Sequence, residues 1–344
     1  MHRALLILLL SIACAAAAAA AEPPVLDAAA VPYVKPEGRA SYRNFLLVNL
    51  PRAFAVASSG AYGWQGGTGT LQEMRAKALA SCAAKGGSDC AIYAEDLTVA
   101  FPGRPRIEPP AVPGPLITGS GYAFVPDERF IWYGPQTARG LFVWGHGIGG
   151  PDESHVQPQN YVRAFNNAGF DVVRFARDST FDSERNASEW LQDDLPKLRA
   201  MGWHLIVAGG QSAGGWASLA TVDKPGLADA VIAVSAAYLN TALMGAQAAG
   251  LYALSHSANA PNTRVAIVYF QGDPYVTEGI DNRLSSLLGG LKGHVGPILV
   301  IDRPPGFSGH GGARAYDFGR RYGPCLLRFV LDTPPPTSCD GATQ

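Results

Sequence analysis

Ser212 is the residue of this 344-residue chain whose surroundings point most directly to chemistry. It lies at the centre of Gly210-Gln211-Ser212-Ala213-Gly214, directly after the apolar residues 205–208. In a G-x-S-x-G pattern between a strand and a helix, the serine lies on a sharp turn that exposes its hydroxyl group as a nucleophile. The flanking glycines leave room for the bend, and we expect strained φ/ψ angles at the serine. The pattern therefore predicts nucleophilic catalysis by Ser212.

The segments around this turn indicate an α/β fold. Because the chain contains 40 glycines, a G-x-S-x-G match can arise by chance, so the neighbouring elements must support it. Strand-like and helix-like segments alternate from residue 120 onwards, which predicts a mostly parallel sheet with helices on both faces. The candidate strands are 123–125, 130–133, 140–144, 171–175, 204–208, 230–235, 264–270 and 297–301, and the candidate helices are 158–168, 188–201 and 281–291. Ser212 follows the fifth candidate strand.

The first third of the chain is organised differently. Proline recurs in residues 101–119 too often for the interior of a helix or sheet, which indicates a linker. Before the linker, two short strands at 54–57 and 62–65, a helix that opens with the capping box Thr70–Glu73, and a strand at 90–101 predict a small α+β module. The predicted divisions are a signal peptide 1–21, a flexible leader 22–40, the module 41–100, the linker 101–119, a catalytic domain 120–332 and a C-terminal tail 333–344.

The N-terminus has the features of an export signal. Arg3 supplies the positive charge, residues 4–13 are apolar, and an alanine-rich stretch ends before Glu22. We therefore expect a periplasmic or extracellular protein. A lipoprotein anchored through Cys14 is the alternative, although the residues before Cys14 lack the usual leucine.

Four cysteines remain after this signal, namely Cys82, Cys90, Cys325 and Cys339. An even number in an oxidising compartment predicts two disulfides, for which three pairings are possible. The nearest neighbours in sequence, Cys82 with Cys90 and Cys325 with Cys339, are the favoured pairs.

Composition narrows the range of functions. The formal net charge is −1 and 16% of residues are charged, with no basic stripe that would favour nucleic-acid binding. No C-x-x-C or H-E-x-x-H motif indicates a zinc site, and we expect neither a metal nor another cofactor. After the signal, no apolar run is long enough to predict a transmembrane segment.

The order of elements around Ser212 resembles the α/β-hydrolase superfamily over residues 120–332. That resemblance implies a triad in the chain order serine, acid, histidine, each at the carboxyl end of a different strand. The acid is then expected to be Asp273, directly after the candidate strand 264–270, where it would orient the catalytic imidazole. An Asx turn before Pro274 is the structural alternative, and Glu278 and Asp281 are the fallback acids.

His310 is the expected catalytic base. It lies between glycines in a loop after the last candidate strand, where it could take the proton of Ser212 and return it to the leaving group. His204, His256 and His294 precede strands, and His155 opens a helix, so structural or solvated roles are expected for these four.

The resemblance also implies an oxyanion hole. Trp144-Gly145-His146-Gly147-Ile148-Gly149-Gly150 is similar to the superfamily's H-G-x-G loop. The expected donors are the backbone N–H of Ala213 and that of Ile148, with Gly147 as the alternative. His146 is interpreted as a residue that braces this loop.

The substrate pocket is expected to be open. Only residues 239–263 are available for a cap over the site, which is room for one helix and a loop. Trp144 and Tyr275 flank the catalytic loops and could form an apolar wall, whereas Trp216 is expected to pack in the core. Such a site suits an ester or a short acyl group.

The sequence therefore predicts an exported serine hydrolase, most simply a carboxylesterase that acts on a small-molecule ester. A serine peptidase of the prolyl-oligopeptidase type is one alternative, although no propeller domain precedes the hydrolase region. An acyltransferase would look the same, and dienelactone-hydrolase-like proteins share the layout but typically use cysteine as the nucleophile. A hypothesis of another class is a binding protein on a hydrolase-like fold, in which the N-terminal module would bind the partner. The sequence does not indicate what that partner is.

Overall fold

The computed structural model describes residues 23–148, 153–178, 181–238 and 244–339, and the side chains of residues 153, 181–185 and 244–246 are not described. The predicted signal peptide with Cys14 lies outside these ranges, as do Gly149, Gly150 and residues 340–344. Across the described ranges, no helix combines the length and the apolar character needed to cross a membrane.

The described residues form twelve strands and eight α-helices. The strands are β1 (Arg52–Val56), β2 (Tyr62–Gly66), β3 (Ala91–Glu95), β4 (Thr98–Val99), β5 (Ile117–Gly119), β6 (Tyr122–Pro126), β7 (Gly140–Gly145), β8 (Phe170–Arg177), β9 (Ile206–Gln211), β10 (Ala230–Val234), β11 (Arg264–Tyr269) and β12 (Ile298–Asp302). The helices are α1 (Pro36–Leu46), α2 (Leu71–Ala84), α3 (Val162–Asn167), α4 (Phe181–Ala200), α5 (Ala213–Leu219), α6 (Met244–His256), α7 (Ile280–Leu291) and α8 (Tyr316–Leu331).

The larger sheet contains eight strands in the order β12-β11-β10-β9-β7-β8-β6-β5. Every neighbouring pair from β8 to β12 is parallel, whereas β6 pairs antiparallel with both β8 and β5. Strands β7, β9 and β10 are buried along their whole length because helices cover both faces. The expected mostly parallel α/β architecture is confirmed.

The smaller sheet is antiparallel, with the strand order β2-β1-β3-β4. Strand β1 is buried on both faces, since Phe54 and Val56 pack in a cluster with helix α1, while Ala53, Ala55 and Ala57 pack against helix α2. Successive side chains of a strand point to opposite faces, so this alternation of large and small residues fits a helix on each side. Helix α2 begins at the predicted capping box, in which Thr70 and Glu73 cap each other.

The flexible leader predicted at residues 22–40 is wrong for its described part. Val25, Leu26, Val31 and Val34 are buried in the apolar cluster that also contains Phe54, and the Tyr42 hydroxyl donates to the Val25 carbonyl over 2.7 Å. Helix α1 then begins at Pro36. The segment is ordered because its apolar side chains complete a core that the small sheet could not fill alone.

The candidate strand at 130–133 is also wrong. Side chains, rather than a neighbouring strand, satisfy its backbone: the Asn166 amide bonds both the N–H and the C=O of Ile131, and Asp171 accepts from the N–H of Tyr133. Phe130 and Ile131 point into different apolar clusters. A strand would show the same alternation, so the sequence pattern could not distinguish the two structures.

Strand β5 lies inside the segment predicted as a linker and belongs to the large sheet. The three residues Ile117–Gly119 pair with β6 across a tight turn, so the boundary of the catalytic domain moves towards the N-terminus. In the count of strands, β5 takes the place of the false candidate at 130–133, so β9 remains the fifth strand of the large sheet.

Two disulfides join Cys82 to Cys90 and Cys325 to Cys339, which are the favoured pairings. The first links the end of α2 to the start of β3. The second fixes the segment after α8 onto that helix, and Cys339 is buried there. The part of the predicted tail up to residue 339 is therefore attached to the fold.

Candidate active site

Ser212 occupies a strained turn between β9 and α5. Its backbone angles are φ 57° and ψ −123°, which only glycine adopts readily. The turn is held by the Ser212 N–H, which donates to the Val234 carbonyl, and by the Ser212 carbonyl, which accepts from Trp216 and Ala237. The strain expected from the sequence pattern is present, and the geometry projects the side chain beyond the carboxyl end of the sheet.

The glycines around Ser212 permit a close crossing with β7. A Cβ atom on Gly214 would lie 2.0 Å from the Gly145 carbonyl oxygen, and one on Gly210 would lie 2.5 Å from the same atom. No side chain fits at these distances. The crossing brings the loop that follows β7 directly beside the serine.

Asp273 and His310 form a hydrogen-bonded pair at the same edge of the sheet. His310 Nδ1 lies 3.0 Å from both carboxylate oxygens of Asp273. The Asp273 side chain is 1% exposed, whereas that of His310 is 19% exposed. Because a carboxylate only accepts hydrogen bonds, Nδ1 carries the proton and Nε2 is left free to accept one.

The loop that carries His310 is anchored at two points. The Gly309 N–H donates to the Gln271 carbonyl over 2.8 Å, and Gln211 Nε2 donates to the His310 carbonyl over 3.2 Å. Gln211 directly precedes Ser212, so this contact joins the segment of Ser212 to that of His310. Sequence reasoning missed the role of Gln211, because its partner is 99 residues away and the G-x-S-x-G pattern leaves this position unspecified.

Asp273 is itself oriented by its own loop. Its carboxylate accepts the N–H of Tyr275 over 3.0 Å, which is the Asx turn that the sequence offered as an alternative role. One carboxylate makes both contacts, since it has lone pairs for several donors. The Tyr275 ring lies 4.4 Å from the His310 ring, centroid to centroid, and is half-buried beside the pair.

His146 lies buried beneath the loop after β7. Its Nε2 accepts the N–H of Arg177 over 3.1 Å, so Nδ1 carries the proton and donates to the Gly147 carbonyl over 2.6 Å. Burial is the largest cause that lowers the pKa of His146, to about 3, and the charge of Arg177 adds to it. A neutral imidazole therefore holds the orientation of the Gly147 peptide, in the bracing position expected from the sequence.

Gly147 lies against Ser212. A Cβ atom on Gly147 would lie 3.1 Å from Ser212 Cβ. Ala213, the first residue of α5, has no intrahelical acceptor for its N–H, as is usual in the first turn of a helix. Ile148 is 40% exposed, and the following Gly149 lies outside the described residues.

The aromatic residues named for the pocket occupy different places. Trp144 is almost fully buried at the end of β7 and lines a cavity beside Gly147. Tyr275 lies on the other side, against His310. Trp216 stacks on Tyr238 at 4.8 Å and packs on the core, as expected.

The remaining candidates lie away from the site or are otherwise paired. His155, His204, His256 and His294 are exposed. Glu278 pairs with Arg283, and Asp281 pairs with Arg303 over 2.5 Å, so neither fallback acid reaches His310. Within the described ranges, no group of three His, Cys, Asp or Glu residues could hold a metal ion.

The strand order, the antiparallel β6 and the serine elbow after the fifth strand define the architecture. The chain has the α/β-hydrolase fold. Ser212 follows β9, Asp273 follows β11 and His310 follows β12, all at the carboxyl edge of parallel strands. An α/β-hydrolase carries its catalytic residues at this edge.

The sequence matches no protein-family model and no curated protein. Solved structures give weak matches. One is a puromycin-hydrolyzing peptidase of Mycobacterium tuberculosis, with 18% identity and a TM-score of 0.38 over 61% of this chain and 37% of that one. Another is an S-formylglutathione hydrolase from Agrobacterium tumefaciens, with 14% identity and a TM-score of 0.42 over 61% of this chain and 88% of that one. A third is a putative dienelactone hydrolase from Klebsiella pneumoniae, with 11% identity and a TM-score of 0.38 over 55% of this chain and 80% of that one.

Proposed function

We propose that this α/β-hydrolase is an exported serine hydrolase, and that it acts as a carboxylesterase through Ser212, His310 and Asp273. The observation that carries the proposal is the hydrogen-bonded Asp273–His310 pair at the sheet edge where the strained elbow presents Ser212. A buried carboxylate beside a partly exposed imidazole is the arrangement that a general base requires. The two disulfides are compatible with export.

In the first step, Ser212 Oγ attacks the carbonyl carbon of the ester while His310 Nε2 takes the hydroxyl proton. Asp273 stabilises the imidazolium that forms and keeps Nδ1 protonated. The tetrahedral intermediate then collapses, the bond to the alcohol oxygen breaks, and His310 returns the proton to that oxygen. The alcohol leaves, and an acyl group remains on Ser212.

The oxyanion of the intermediate would be bound by the N–H of Ala213 and that of Ile148. The Gly147 carbonyl is held by His146, and in a trans peptide the N–H points away from the carbonyl, so the Ile148 N–H faces the opposite side. Each such donor is worth about 3–4 kcal/mol in the transition state. Gly147 itself is the alternative second donor.

In the second step, water attacks the acyl group with His310 again as the base, and the carboxylic acid is released. If an alcohol replaced water, the same machinery would act as an acyltransferase. If an amine were the leaving group, it would act as a peptidase. An ester is favoured because the cavity beside Gly147, of about 220 Å³, suits a short acyl or alcohol group.

Fluorophosphonate labelling together with ester hydrolysis tests this function. We expect wild-type protein to be labelled on Ser212 and to hydrolyse p-nitrophenyl esters of short acids faster than aminoacyl-nitroanilides. Ser212→Ala should abolish both signals, and Asp273→Asn should lower kcat by roughly 10⁴-fold because His310 would adopt the wrong tautomer.

Ser257→Ala is the matched control, since Ser257 is exposed and its hydroxyl only donates to the Leu254 carbonyl. This variant should retain labelling and activity. If wild-type protein neither reacted with the label nor hydrolysed any ester or amide, a binding protein on a hydrolase-like fold would be the better description.

A further inference from the structure

A cavity of about 220 Å³ lies beside the nucleophile, between the two sheets of the protein. Gly147, which contacts Ser212, and Trp144 form its inner wall. Asn49 and Gly67, both from the N-terminal part of the chain, form the facing wall. A substrate bound at Ser212 would therefore extend one arm towards the small sheet.

Gln159 lines this cavity and has no partner for its side chain among the described residues. The residue is 5% exposed, and its Oε1 is fully buried without a hydrogen bond. Buried amide groups are normally hydrogen-bonded, because leaving one unpaired is costly. The Nε2 group of Gln159 makes no hydrogen bond to a described residue either, and as an amide NH₂ it can donate to a ligand in the cavity.

Arg314 supplies the charge at this cavity. It is exposed at the rim, four residues after His310, and none of the described carboxylates pairs with it. The other described residues that line the cavity are neutral. Arg314 is therefore the one charged side chain among the described residues that line the cavity, and a cation at the rim favours an anionic group over a neutral group or a cation.

The N-terminal part of the chain also fixes the loop that carries Gln159. The Asn49 N–H donates to Asn160 Oδ1 and the Asn49 amide donates to the Pro158 carbonyl, both over 2.7 Å. Arg163 Nε donates to Asn49 Oδ1 over 3.1 Å. These contacts on both sides of Gln159 make the cavity preformed, which is typical of a specificity pocket.

We propose that this cavity is a specificity pocket for a short substrate arm that ends in a carboxylate. Gln159 donates a hydrogen bond to the carboxylate, Arg314 provides the opposite charge, and the small sheet limits the length of the arm. The proposal rests on the esterase function proposed above and adds the chemical class of its substrate.

The test compares esters of the same size and different charge. Monoethyl succinate, ethyl butanoate and ethyl 3-aminopropanoate have acyl arms of similar length and differ in the charge at the end of the arm. A second set, 3-acetoxypropanoate and propyl acetate, places the carboxylate on the alcohol arm. Hydrolysis is followed by proton release in a pH-stat. We expect kcat/KM for the carboxylate ester to exceed that of its neutral partner by at least about tenfold in one set, and the ammonium ester to be the poorest substrate of the first set.

Two variants assign the preference to the cavity. Arg314→Met and Gln159→Leu should each lower the ratio of carboxylate to neutral ester by about fivefold or more. Arg328→Met, which removes an exposed arginine on α8 away from the cavity, should leave the ratio unchanged. Added salt should reduce the ratio in wild-type protein because it screens an exposed charge.

The outcomes separate this proposal from the one it rests on. If neutral esters are hydrolysed and neither set shows a preference for the carboxylate, the proposed specificity pocket is wrong and the proposed esterase function stands. A preference that survives both variants overturns the assignment to Gln159 and Arg314. Absence of hydrolysis together with absence of fluorophosphonate labelling overturns the esterase itself.

Discussion

His146 is a histidine with a structural task in a place where sequence patterns suggest chemistry. It is 1% exposed, accepts from the backbone of Arg177 and donates to the Gly147 carbonyl. Protonation would remove the acceptor that Arg177 needs and would place a charge in a buried site. The pKa of His146 is lowered for this reason, because the folded state favours the neutral imidazole over the protonated one.

The pH dependence of stability should reveal His146. Its pKa of about 3 lies below the unfolded value near 6.5, so the stabilisation is complete above pH 6.5 and is lost as the pH falls towards 3. When the pH falls from 7.5 to 4.5, the free energy of unfolding of wild-type protein should decrease by about 2–3 kcal/mol more than that of His146→Asn. This variant keeps the donor to Gly147 but does not titrate. Urea unfolding at both pH values measures the difference. Equal losses in the two proteins would show that His146 does not resist protonation.

The proposed triad residues could be picked out in the sequence because each follows a recognisable strand. Asp273 directly continues β11, and His310 lies in the loop after β12, so the strand ends alone bring them to one edge. Gln211 could not be found in this way. Its contact with the His310 carbonyl depends on the path of a loop, and nothing in the local pattern specifies that path.

At the scale of elements, the crossing of β7 and α5 constrains the site more than any side chain does. Gly145 and Gly214 approach so closely that a Cβ on either would meet the backbone of the other within 3 Å. This contact places the Gly147 peptide beside Ser212. The elbow therefore needs glycine for a packing reason as well as for the bend.

Gly214→Ala should destabilise the fold strongly. Because the new Cβ would lie 2.0 Å from the Gly145 oxygen, β7 and α5 must separate, at a cost of about 3 kcal/mol or more. Gly289→Ala is the matched control, since Gly289 is exposed in α7 and nothing lies within 4 Å of its Cβ position. We expect it to add about 0.5–1 kcal/mol through helix propensity. The packing argument would be wrong if Gly214→Ala unfolded at the same denaturant concentration as wild-type protein.

The sequence pattern predicted most strands of the large sheet. It failed where contacts with residues distant in the sequence determine whether a segment pairs as a strand. The runs that became β7 to β12 are mostly apolar, which is typical of buried parallel strands, although β8 also carries Asp171, Arg174 and Arg177. Residues 130–133 have the same composition, but the Asn166 and Asp171 side chains satisfy their backbone instead. Strand β5 is only three residues long and follows prolines, so its pairing with β6 leaves no local signature.

For the molecule as a whole, the small antiparallel sheet is part of the framework of the site. Asn49 bonds to the loop of Gln159, the Tyr316 hydroxyl donates to the Asn44 carbonyl, and Asn167 donates to the Leu46 carbonyl. The sequence predicted a separate module before a linker, because composition shows where prolines lie but not which surfaces meet. These contacts join helix α1 and the loop after it to α3, the loop before α3 and α8, so each side helps to satisfy polar groups of the other.

Asn49→Ala tests whether this contact stabilises the whole protein. It removes the acceptor of Arg163 Nε and leaves the Pro158 carbonyl without its donor. The Arg163 guanidinium is fully buried, and burial lowers its pKa. Buried groups left unpaired cost about 1–3 kcal/mol each, so we expect a loss on the order of 2–4 kcal/mol in denaturant unfolding. Asn44→Ala is the control, because this neighbouring asparagine contributes its backbone carbonyl to Tyr316 and that contact survives the substitution. If the two variants unfolded at the same denaturant concentration, the contact through Asn49 would join the sheets without stabilising either of them.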